Sequence, residues 1–441
     1  MFMTHKKITT RRSSCMSRRE SRRSTRIQTF YYRLLFVMIA VSIGFFFLQL
    51  SQYGQTIWKF YYSIYMITAL AYTWYVFVLL FWGDAKKKAV TPYAGQRISV
   101  VIPCYNENLQ LLKKAITSVV NARGNKEIIL IDDGSTNNIR KKLIPIAKKH
   151  GIILHFFDRN QGKRVALHYA VTHLIRGSKY VVTMDSDTVL DRNALIRIVE
   201  PLQDSTVAAV SGDVRLSNEK QNLLTRMIGG YYWSALHIHR KAESTLGMVS
   251  CCSGALSAYR SNVLRDVIEQ FVTQEFFGER CTHSEDRHLT NLMHKHGHSV
   301  VFTPDAIAYT NSPSTVIDFL KQQQRWRRGF LQEALFTMTF AWKNKPVLFL
   351  QTFVWELVLP FLSVGILLLL LLTSVTSPLY FVTTMAPSLL FVSLIKNLPA
   401  LFLDPRKLFG LMAFTVFAAS VSHIQGVYAL FTVRNKSWIT R

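Results

Sequence analysis

Two carboxylates two residues apart, Asp185 and Asp187, are the residues of this chain best suited to metal chemistry. They follow the apolar run Tyr180–Val182, which predicts a buried strand. Residues i and i+2 of an extended segment share one face, so both side chains can reach one ion. Close carboxylates repel unless a cation lies between them, and oxygen ligands with open positions suit Mg²⁺ or Mn²⁺. The alternative is a solvated Asp-rich turn, which is the commoner origin of a lone Asp-x-Asp.

Two further polar motifs follow predicted strands. Val100–Ile102 leads into Pro103-Cys104-Tyr105-Asn106-Glu107, and Glu127–Ile131 leads into Asp132-Asp133-Gly134-Ser135. Proline ends a strand ladder, so the polar residues after it are expected at the rim of the sheet. The carboxylates of the second motif can accept hydrogen bonds from the N–H of a nucleotide base, and Gly134 allows a tight turn.

A glycine turn with two cations, Asn160-Gln161-Gly162-Lys163-Arg164, precedes a predicted helix. Backbone N–H groups at a helix start and cationic side chains together suit a diphosphate. A solvated turn is the alternative interpretation of these residues.

Two motifs in the second half of the chain each allow two interpretations. Ser284-Glu285-Asp286-Arg287 predicts a helix start capped by Ser284, in which Asp286 is either part of a plain acidic first turn or a general base. Gln322-Gln323-Gln324-Arg325-Trp326 lies in an amphipathic stretch. It is either an interfacial anchor, or a platform on which Trp326 stacks against a sugar while Arg325 lies near phosphate.

Short apolar runs alternate with helix-like runs between about Val90 and Lys345, where no stretch is apolar enough to cross a bilayer. This alternation predicts an α/β domain with a mostly parallel sheet and helices on both faces. Ligands of such sheets bind at the carboxyl ends of the strands, so the motifs are expected to converge there. The predicted elements are Ile98–Ile102, Leu111–Asn121, Glu127–Ile131, Asn138–His150, Ile152–Phe156 and Tyr180–Met184.

The whole chain is both basic and apolar. It has 441 residues, a formal net charge of +27 and 49% hydrophobic residues. This composition excludes a disordered chain and predicts a membrane protein with one sizeable soluble domain. The charge favours acidic partners such as lipid head groups or nucleotide phosphates. Five cysteines without Cys-x-x-Cys spacing predict reduced thiols, neither a zinc site nor a disulfide framework.

Apolar runs flank the predicted domain. Residues 1–29 predict a disordered basic tail, whose charge favours an anionic membrane leaflet over nucleic acid, so no nucleic-acid partner is expected. Residues 30–83 predict two transmembrane helices, at 34–50 and 61–82, whose cationic flanks place residues 84–345 in the cytosol. Residues 346–441 predict three further membrane stretches, at 347–372, 379–395 and 408–433. Three full crossings would leave the cationic end of the chain outside, so either the last stretch is re-entrant, which we favour, or one of the three lies in the interface.

The motifs occur in an order that matches one family. Pro-x-Tyr-Asn-Glu, Asp-Asp-Gly-Ser, Asn-Gln-Gly-Lys-Arg, Asp-Ser-Asp-Thr, Ser-Gly-x-Leu-x-x-Tyr-Arg at Ser253–Arg260, Glu-Asp-Arg and Gln-x-x-Arg-Trp follow one another. From about residue 97 onward the chain resembles the processive family 2 glycosyltransferases, which include hyaluronan synthases and the chito-oligosaccharide synthases of nodulation. The resemblance implies a cytosolic GT-A domain between transmembrane helices in the cell membrane, with an interfacial helix near residues 314–330.

The resemblance also implies roles for individual residues. Asp286 would be the catalytic base, and Asp187 with Asp185 would hold Mg²⁺ or Mn²⁺. Arg325 and Trp326 would bind the donor diphosphate and the acceptor. Near the end, Trp438 and Arg441 resemble a Trp-Gly-Thr-Arg motif in which Ile439 replaces the glycine. The other implied substrate contacts are Tyr105, Glu107 and Asp133 for uridine, Lys163 and Arg164 for diphosphate, Asp185 for the nucleotide, Cys252, Ser253 and Gly254 beneath the acceptor, and Gln322.

The resemblance divides between two substrate preferences. Two stretches, Gln221–Arg226 and Leu430–Arg434, resemble bacterial hyaluronan synthases. Three others resemble chito-oligosaccharide synthases: Glu285–Thr290, Pro304–Ala308 and Cys251-Cys252. Both groups use UDP-N-acetylglucosamine and differ in the use of UDP-glucuronate. The chain is therefore expected to be a processive inverting β-glycosyltransferase of the hyaluronan synthase type, with a UDP-sugar, a growing polysaccharide and the bilayer as partners. The alternatives are a chitin-type synthase and a single-sugar transferase to a lipid carrier.

Overall fold

An eight-stranded sheet lies at the centre of the protein. The computed structural model describes residues 26, 29–30, 33, 37, 67–68, 70–80, 91–380, 382–383 and 386–434. The strands of the sheet are β1 (Ile98–Cys104), β2 (Lys126–Asp132), β3 (Ile153–Phe156), β4 (Tyr180–Met184), β5 (Val189–Leu190), β6 (Val207–Leu216), β7 (Leu256–Arg260) and β10 (Ser299–Thr310). They are ordered β3-β2-β1-β4-β7-β6-β10-β5. A separate hairpin contains β8 (Glu275–Phe276) and β9 (Glu279–Arg280).

The first half of the sheet is parallel and buried. Strands β1, β2, β3 and β4 pair in parallel, and every residue of β1 and β4 is buried. Helices cover both faces of such strands, which explains their unbroken apolar sequences. Two of these helices are α2 (Leu109–Asn121), which Asn108 caps with its side chain, and α3 (Ile139–His150). The predicted α/β class with a mostly parallel sheet is confirmed.

The second half of the sheet departs from simple alternation. Strand β7 runs antiparallel between β4 and β6, while β10 pairs in parallel with β6 and antiparallel with β5. Between β6 and β7 the chain forms α6 (Leu223–Ser234), a π-helical segment (Ala235–Arg240) and α7 (Lys241–Thr245). These elements carry the chain across the domain, so β7 returns beside β4 at the edge where the polar motifs lie.

The other helices of the domain complete its two faces. They are α4 (Lys163–Tyr169) with the π-helical segment Ala170–Leu174, α5 (Ala194–Val199) with the 3₁₀ segment Glu200–Gln203, α8 (Ser261–Val272), α9 (Glu285–Lys295) and α10 (Val316–Thr337). Helix α10 begins two residues after the start of the predicted interfacial helix, 314–330, and extends seven residues beyond its end. It buries the polar side chains Gln323, Arg328 and Glu333, so α10 is an internal element of the protein along much of its length.

The last hundred residues of the chain form helices that pack against the domain. They are α11 (Ala341–Asn344), α12 (Pro346–Gln351), the π-helical segment Thr352–Val358, α13 (Leu359–Thr376), α14 (Pro378–Tyr380), α15 (Ala386–Leu403), the 3₁₀ segment Pro405–Lys407 and α16 (Leu408–Phe431). Helix α16 packs on α6 and α10, where Phe414 stacks on Tyr231 at 4.5 Å between ring centroids and meets Phe319 edge-on at 6.0 Å.

In the part of the chain that the structure describes, no helix has both the length and the apolarity that a membrane crossing needs. Of the two predicted N-terminal spans, the structure describes Val37, residues 67–68 and residues 70–80, the last of which form helix α1. The rest of these spans, most of the basic tail, and Trp438 and Arg441 lie outside the described residues.

Candidate active site

The polar motifs meet at the carboxyl ends of β1, β2 and β4. The β1–β2 register pairs Cys104 with Asp132, so Tyr105 and Asp133 leave the sheet side by side. The Asp133 carboxylate accepts hydrogen bonds from the amides of Gln161 and Gly162, both at 2.8 Å. Burial raises the pKa of Asp133, although these two hydrogen bonds act in the opposite direction. Asp133 therefore holds the glycine turn over the end of β2.

Glu107 connects the loop after β1 to the loop after β4. It is 7% exposed, and its Oε2 accepts a hydrogen bond from the Ser186 hydroxyl at 2.6 Å. Ser186 lies between the two predicted metal ligands, so Glu107 fixes the loop that carries them. The contacts to uridine predicted for Glu107 and Tyr105 stay predictions.

Lys163 is the central cation of the cleft. Its Nζ lies 2.6 Å from Asp185 Oδ1 and 3.0 Å from Glu285 Oε1. Burial by itself would lower the Lys163 pKa, and the two carboxylates raise it above its ordinary value. Burial also acts to raise the pKa of Glu285, but Lys163 overcomes this effect and lowers it to about 2. The predicted diphosphate ligand is thus a charged lysine balanced by carboxylates that a phosphate group could replace.

Asp286 lies in the first turn of α9. Its Oδ1 accepts a hydrogen bond from the Arg287 amide at 2.8 Å, and its Oδ2 accepts one from the Gly254 amide at 3.1 Å. Burial raises the Asp286 pKa, as does the neighbouring Glu285, while Lys163 acts to lower it. A carboxylate with a raised pKa in a cleft is a suitable general base.

The loop Cys252–Gly254 packs closely against the predicted base. The Cys252 amide donates to Thr290 Oγ1 at 2.9 Å, which fixes the loop to α9. A Cβ atom added to Gly254 would lie 3.0 Å from Lys163 Nζ, 3.5 Å from Asp286 Oδ2 and 3.7 Å from Asp185 Oδ2. Three predicted site residues from three separate motifs therefore converge on one glycine.

Trp326 lies beside this cluster on α10. Its ring centroid is 6.2 Å from that of Tyr232, a residue of α6 that the sequence reasoning did not select. The charges of Asp185 and Arg325 both act on the Tyr232 hydroxyl, whose pKa burial raises. Gln322 carries a buried carbonyl oxygen that makes no hydrogen bond within the described residues. Tyr232 therefore lies close to Trp326 and within the electrostatic influence of both Arg325 and Asp185.

Arg164 differs from its prediction. It is 6% exposed, and its guanidinium donates to the carbonyl oxygens of Phe271 and His283 and to Gln274 Oε1, at 2.8, 3.0 and 2.8 Å. The guanidinium is therefore directed to internal acceptors, where it is buried and not presented to a diphosphate. Arg164 instead holds the segment before α9.

Ser284 also differs from its prediction. It occupies the N-cap position of α9 with a left-handed φ of 53°, but its side chain makes no capping hydrogen bond. The hydroxyl packs against α10 instead: a Cβ atom on Gly329 would lie 1.7 Å from Ser284 Oγ. Close packing of α9 on α10 replaces the expected side-chain cap.

The predicted metal ligands have chemistry that suits a hard cation. Asp185 is 41% exposed at its side chain, and Asp187 follows two residues later on the same loop. Among the described residues no group of three or more His, Cys, Asp or Glu side chains could hold a metal ion. Two carboxylates with further positions open to phosphate oxygens are the donor set that Mg²⁺ or Mn²⁺ accepts in nucleotide sites.

Several residues of the cleft were missed by the sequence reasoning. Ser186 and Thr290 act through hydrogen bonds to Glu107 and to the Cys252 amide. Arg240 lies near enough for its charge to lower the Asp286 pKa. Ser186 and Thr290 lie within stretches that were selected for other residues, and Arg240 lies in none of the motifs. Only the folded neighbourhood shows what these three side chains do.

The chain is similar in sequence to known glycosyltransferases. The chain is 32% identical over 262 residues to an N-acetylglucosaminyltransferase from Neorhizobium galegae, which covers 58% of this chain and 60% of that protein. It is 29% identical over 361 residues to a hyaluronan synthase from Streptococcus pyogenes serotype M1, covering 79% and 85%. The match thus spans about three fifths of the first of these relatives.

The fold has a counterpart among solved structures. A mannosyltransferase from Pyrobaculum calidifontis, in complex with GDP-Man and Mn²⁺, superposes with a TM-score of 0.57 over 88% of this chain and 99% of that one, at 19% identity. This likeness concerns the fold. Residues 95–329, more than half of the chain, match the family model described as glycosyltransferase like family 2. The resemblance that the ordered motifs predicted is confirmed, and the chain belongs to glycosyltransferase-like family 2.

Proposed function

We propose that this protein is a membrane-embedded, processive, inverting β-glycosyltransferase that polymerises an N-acetylglucosamine-containing polysaccharide from UDP-sugars. The observation that carries the proposal is the convergence of Lys163, Asp185 and Asp286 around Gly254. A phosphate-binding cation, a nucleotide-side carboxylate and a candidate base thereby share one cleft. Trp326, beside Tyr232, lies near the same cleft.

The proposed reaction is a single displacement at the anomeric carbon of the donor. Asp286 takes the proton of the acceptor hydroxyl, and the resulting oxygen forms the new glycosidic bond as the bond to the diphosphate breaks. UDP leaves with the bonding electrons, and attack from the opposite face inverts the configuration to β. The Asp286 carboxylate is held for this step by the Gly254 and Arg287 amides.

The donor diphosphate is expected to bind Lys163, which exchanges its contacts with Asp185 and Glu285 for phosphate oxygens. Asp187 and Asp185 would hold Mg²⁺ or Mn²⁺, which when bound neutralises the charge that develops on the leaving diphosphate. The Mn²⁺ in the mannosyltransferase of the same fold supports a requirement for a divalent metal.

The acceptor is expected to stack its sugar face on Trp326, because a flat indole gives a large apolar contact to a ring. The relatives are named N-acetylglucosaminyltransferase and hyaluronan synthase, and both product classes predicted from the sequence fit these names. We favour a hyaluronan-type polymer, with a chitin-type product from UDP-N-acetylglucosamine alone as the alternative. A single transfer to a lipid carrier is less favoured, because the chain has the Gln-x-x-Arg-Trp motif of processive enzymes.

The proposed location is the cell membrane, with the catalytic domain in the cytosol and a multi-pass arrangement. Large apolar side chains on the C-terminal helices support this, since Val375 is 82% exposed, Phe409 78% and Phe402 63%. An apolar surface of this kind is stable against lipid. A polar polymer cannot cross hydrocarbon unaided, so these helices are expected to line its exit.

The test is UDP release by the purified full-length protein with UDP-N-acetylglucosamine, with and without UDP-glucuronate. Release is expected only with a divalent metal and is lost on adding a chelator. Product size on a gel separates a polymerase from a single-sugar transferase, and digestion by hyaluronidase or chitinase identifies the polymer. UDP release without a divalent metal would refute the proposed mechanism. A product with only one added sugar would refute the proposed processivity.

A further inference from the structure

Arg287, the residue after the candidate base, carries a buried guanidinium that points to a different part of the protein. It is 5% exposed, and its guanidinium lies over the ring of Phe330 of α10, 4.9 Å from the centroid. Its Nη2 donates to Glu356 Oε2. Successive helical residues leave the axis about 100° apart, so Asp286 can face the cleft while Arg287 contacts the C-terminal helices.

Glu356 is the acceptor on which this guanidinium depends. The Arg287 Nε atom is buried and makes no hydrogen bond to any described residue. Glu356 is 26% exposed at its side chain and lies in the π-helical segment Thr352–Val358. Such segments are rare and occur frequently at functional sites. The ion pair therefore connects the first turn of α9 directly to a specialised segment of the C-terminal region.

The same segment has further polar and aromatic contacts. Gln351, which precedes it, donates to Glu243 Oε1 at 2.6 Å, and Glu243 accepts a hydrogen bond from the Ser250 amide at 2.8 Å. Ser250 leads into the Cys252–Gly254 loop. On another side, Trp355 stacks on Tyr72 of α1 at 4.1 Å between centroids. Both the base-bearing helix and the loop beneath the acceptor are thus joined to this one segment.

We propose that Arg287 and Glu356 are positioning residues that hold Asp286 at a fixed place relative to the C-terminal helices. This inference rests on the proposed function, in which the acceptor end lies between the cleft and those helices. Asp286 must stay within hydrogen-bond distance of the acceptor hydroxyl while the polymer advances. In the proposed function the donor is bound by Lys163 and by the loops after β1, β2 and β4, whereas the Arg287 guanidinium pairs with Glu356. Loss of the pair is therefore expected to affect turnover and not donor binding.

A second ion pair between the domain and the C-terminal helices serves as a control. It distinguishes a positioning role of Arg287 and Glu356 from a role in stability alone. Lys407, at the start of α16, pairs with Glu219, and their side chains are 24% and 31% exposed. This pair also joins the domain to the C-terminal helices, but neither residue contacts the cleft residues described above. Glu219→Gln therefore removes a comparable connection without touching the helix that carries Asp286.

The first experiment compares full-length Glu356→Gln, Arg287→Gln, their double variant and Glu219→Gln in UDP release. A misplacement of about 1 Å can cost about 10²-fold in rate, so Glu356→Gln is expected to lower kcat about 10- to 100-fold. Its KM for UDP-N-acetylglucosamine should stay within about twofold, and the double variant should be no slower than the slower single one. Glu219→Gln should match the wild type in both constants. Arg287→Lys, which keeps the buried charge, serves if the other variants fold poorly, and it should lower kcat in the same direction.

The second experiment does not require activity. Hydrogen exchange of the amides in Glu285–Thr290 is expected to be faster in Glu356→Gln than in the wild type, and unchanged in Glu219→Gln. A wild type that releases no UDP from any UDP-sugar would refute the proposed function, while the exchange result would still decide this inference. Unchanged exchange, a kcat for Glu356→Gln within twofold of wild type, or single effects that multiply in the double variant would each overturn it.

Discussion

Replacing Asp286 by asparagine is expected to remove most of the turnover while leaving the cleft intact. Asparagine has nearly the same shape, and its amide oxygen can still accept one of the two hydrogen bonds that the Gly254 and Arg287 amides donate to Asp286. It cannot take a proton from the acceptor hydroxyl. General base catalysis contributes about 10²–10⁴-fold, so Asp286→Asn should raise the barrier by roughly 3–5 kcal/mol.

The pH dependence of the wild type provides a second measure of the same group. Burial raises the Asp286 pKa above its ordinary value of 3.8, and the charge of Glu285 adds to this effect. The base must be ionised to take a proton. Turnover should therefore be low at pH values below this raised pKa and should increase as the pH rises through it. The acidic limb is therefore expected above the range of an exposed aspartate, and it should disappear from the residual activity of Asp286→Asn.

The assay is initial UDP release at saturating UDP-N-acetylglucosamine with Mg²⁺ or Mn²⁺, followed from acidic to neutral pH. The matched control is Asp266→Asn, which makes the same chemical change on the exposed face of α8 and should leave turnover unchanged. The reasoning is refuted if Asp286→Asn keeps turnover within about tenfold of the wild type, because a general base contributes more than that.

Three further outcomes follow from the cleft. Gly254→Ala would place a methyl group 3.0 Å from Lys163 Nζ. It is expected to lower kcat/KM at least about tenfold, because the added group occupies substrate space. The control is Gly426→Ala, whose added Cβ would have nothing within 4 Å, and equal activities of the two variants would contradict the packing argument. Lys163→Met should raise the dissociation constant for UDP at least about tenfold by removing a charge-assisted contact, as calorimetry can measure, and unchanged affinity would exclude Lys163 as a diphosphate ligand. Glu333→Gln leaves three buried donors without their carboxylate and should destabilise the protein by about 1–3 kcal/mol in chemical unfolding; an unchanged midpoint would show the network to be dispensable.

The sequence by itself determined the strand bounds, the edge of the sheet where the motifs lie, and the family. The apolar run Tyr180–Met184 forms a strand with the predicted bounds, because a run of this length between turn residues has few other ways to bury its side chains. The carboxyl ends of parallel strands share one edge, so the motifs after β1, β2 and β4 could be assigned to a common cleft before their distances were known. The order of those motifs was sufficient to predict the family.

The tertiary structure decided what each charged group in those motifs contacts. Lys163 and Arg164 are adjacent and chemically similar, yet Lys163 meets Asp185 in the cleft while Arg164 is buried against internal carbonyl oxygens. Neighbouring helical positions face different surroundings, and spacing alone does not say which one faces the ligand. The pairing of Arg287 with Glu356 joins residues 69 positions apart. A contact over such a separation follows from the packing of whole helices, and the local sequence pattern does not predict it.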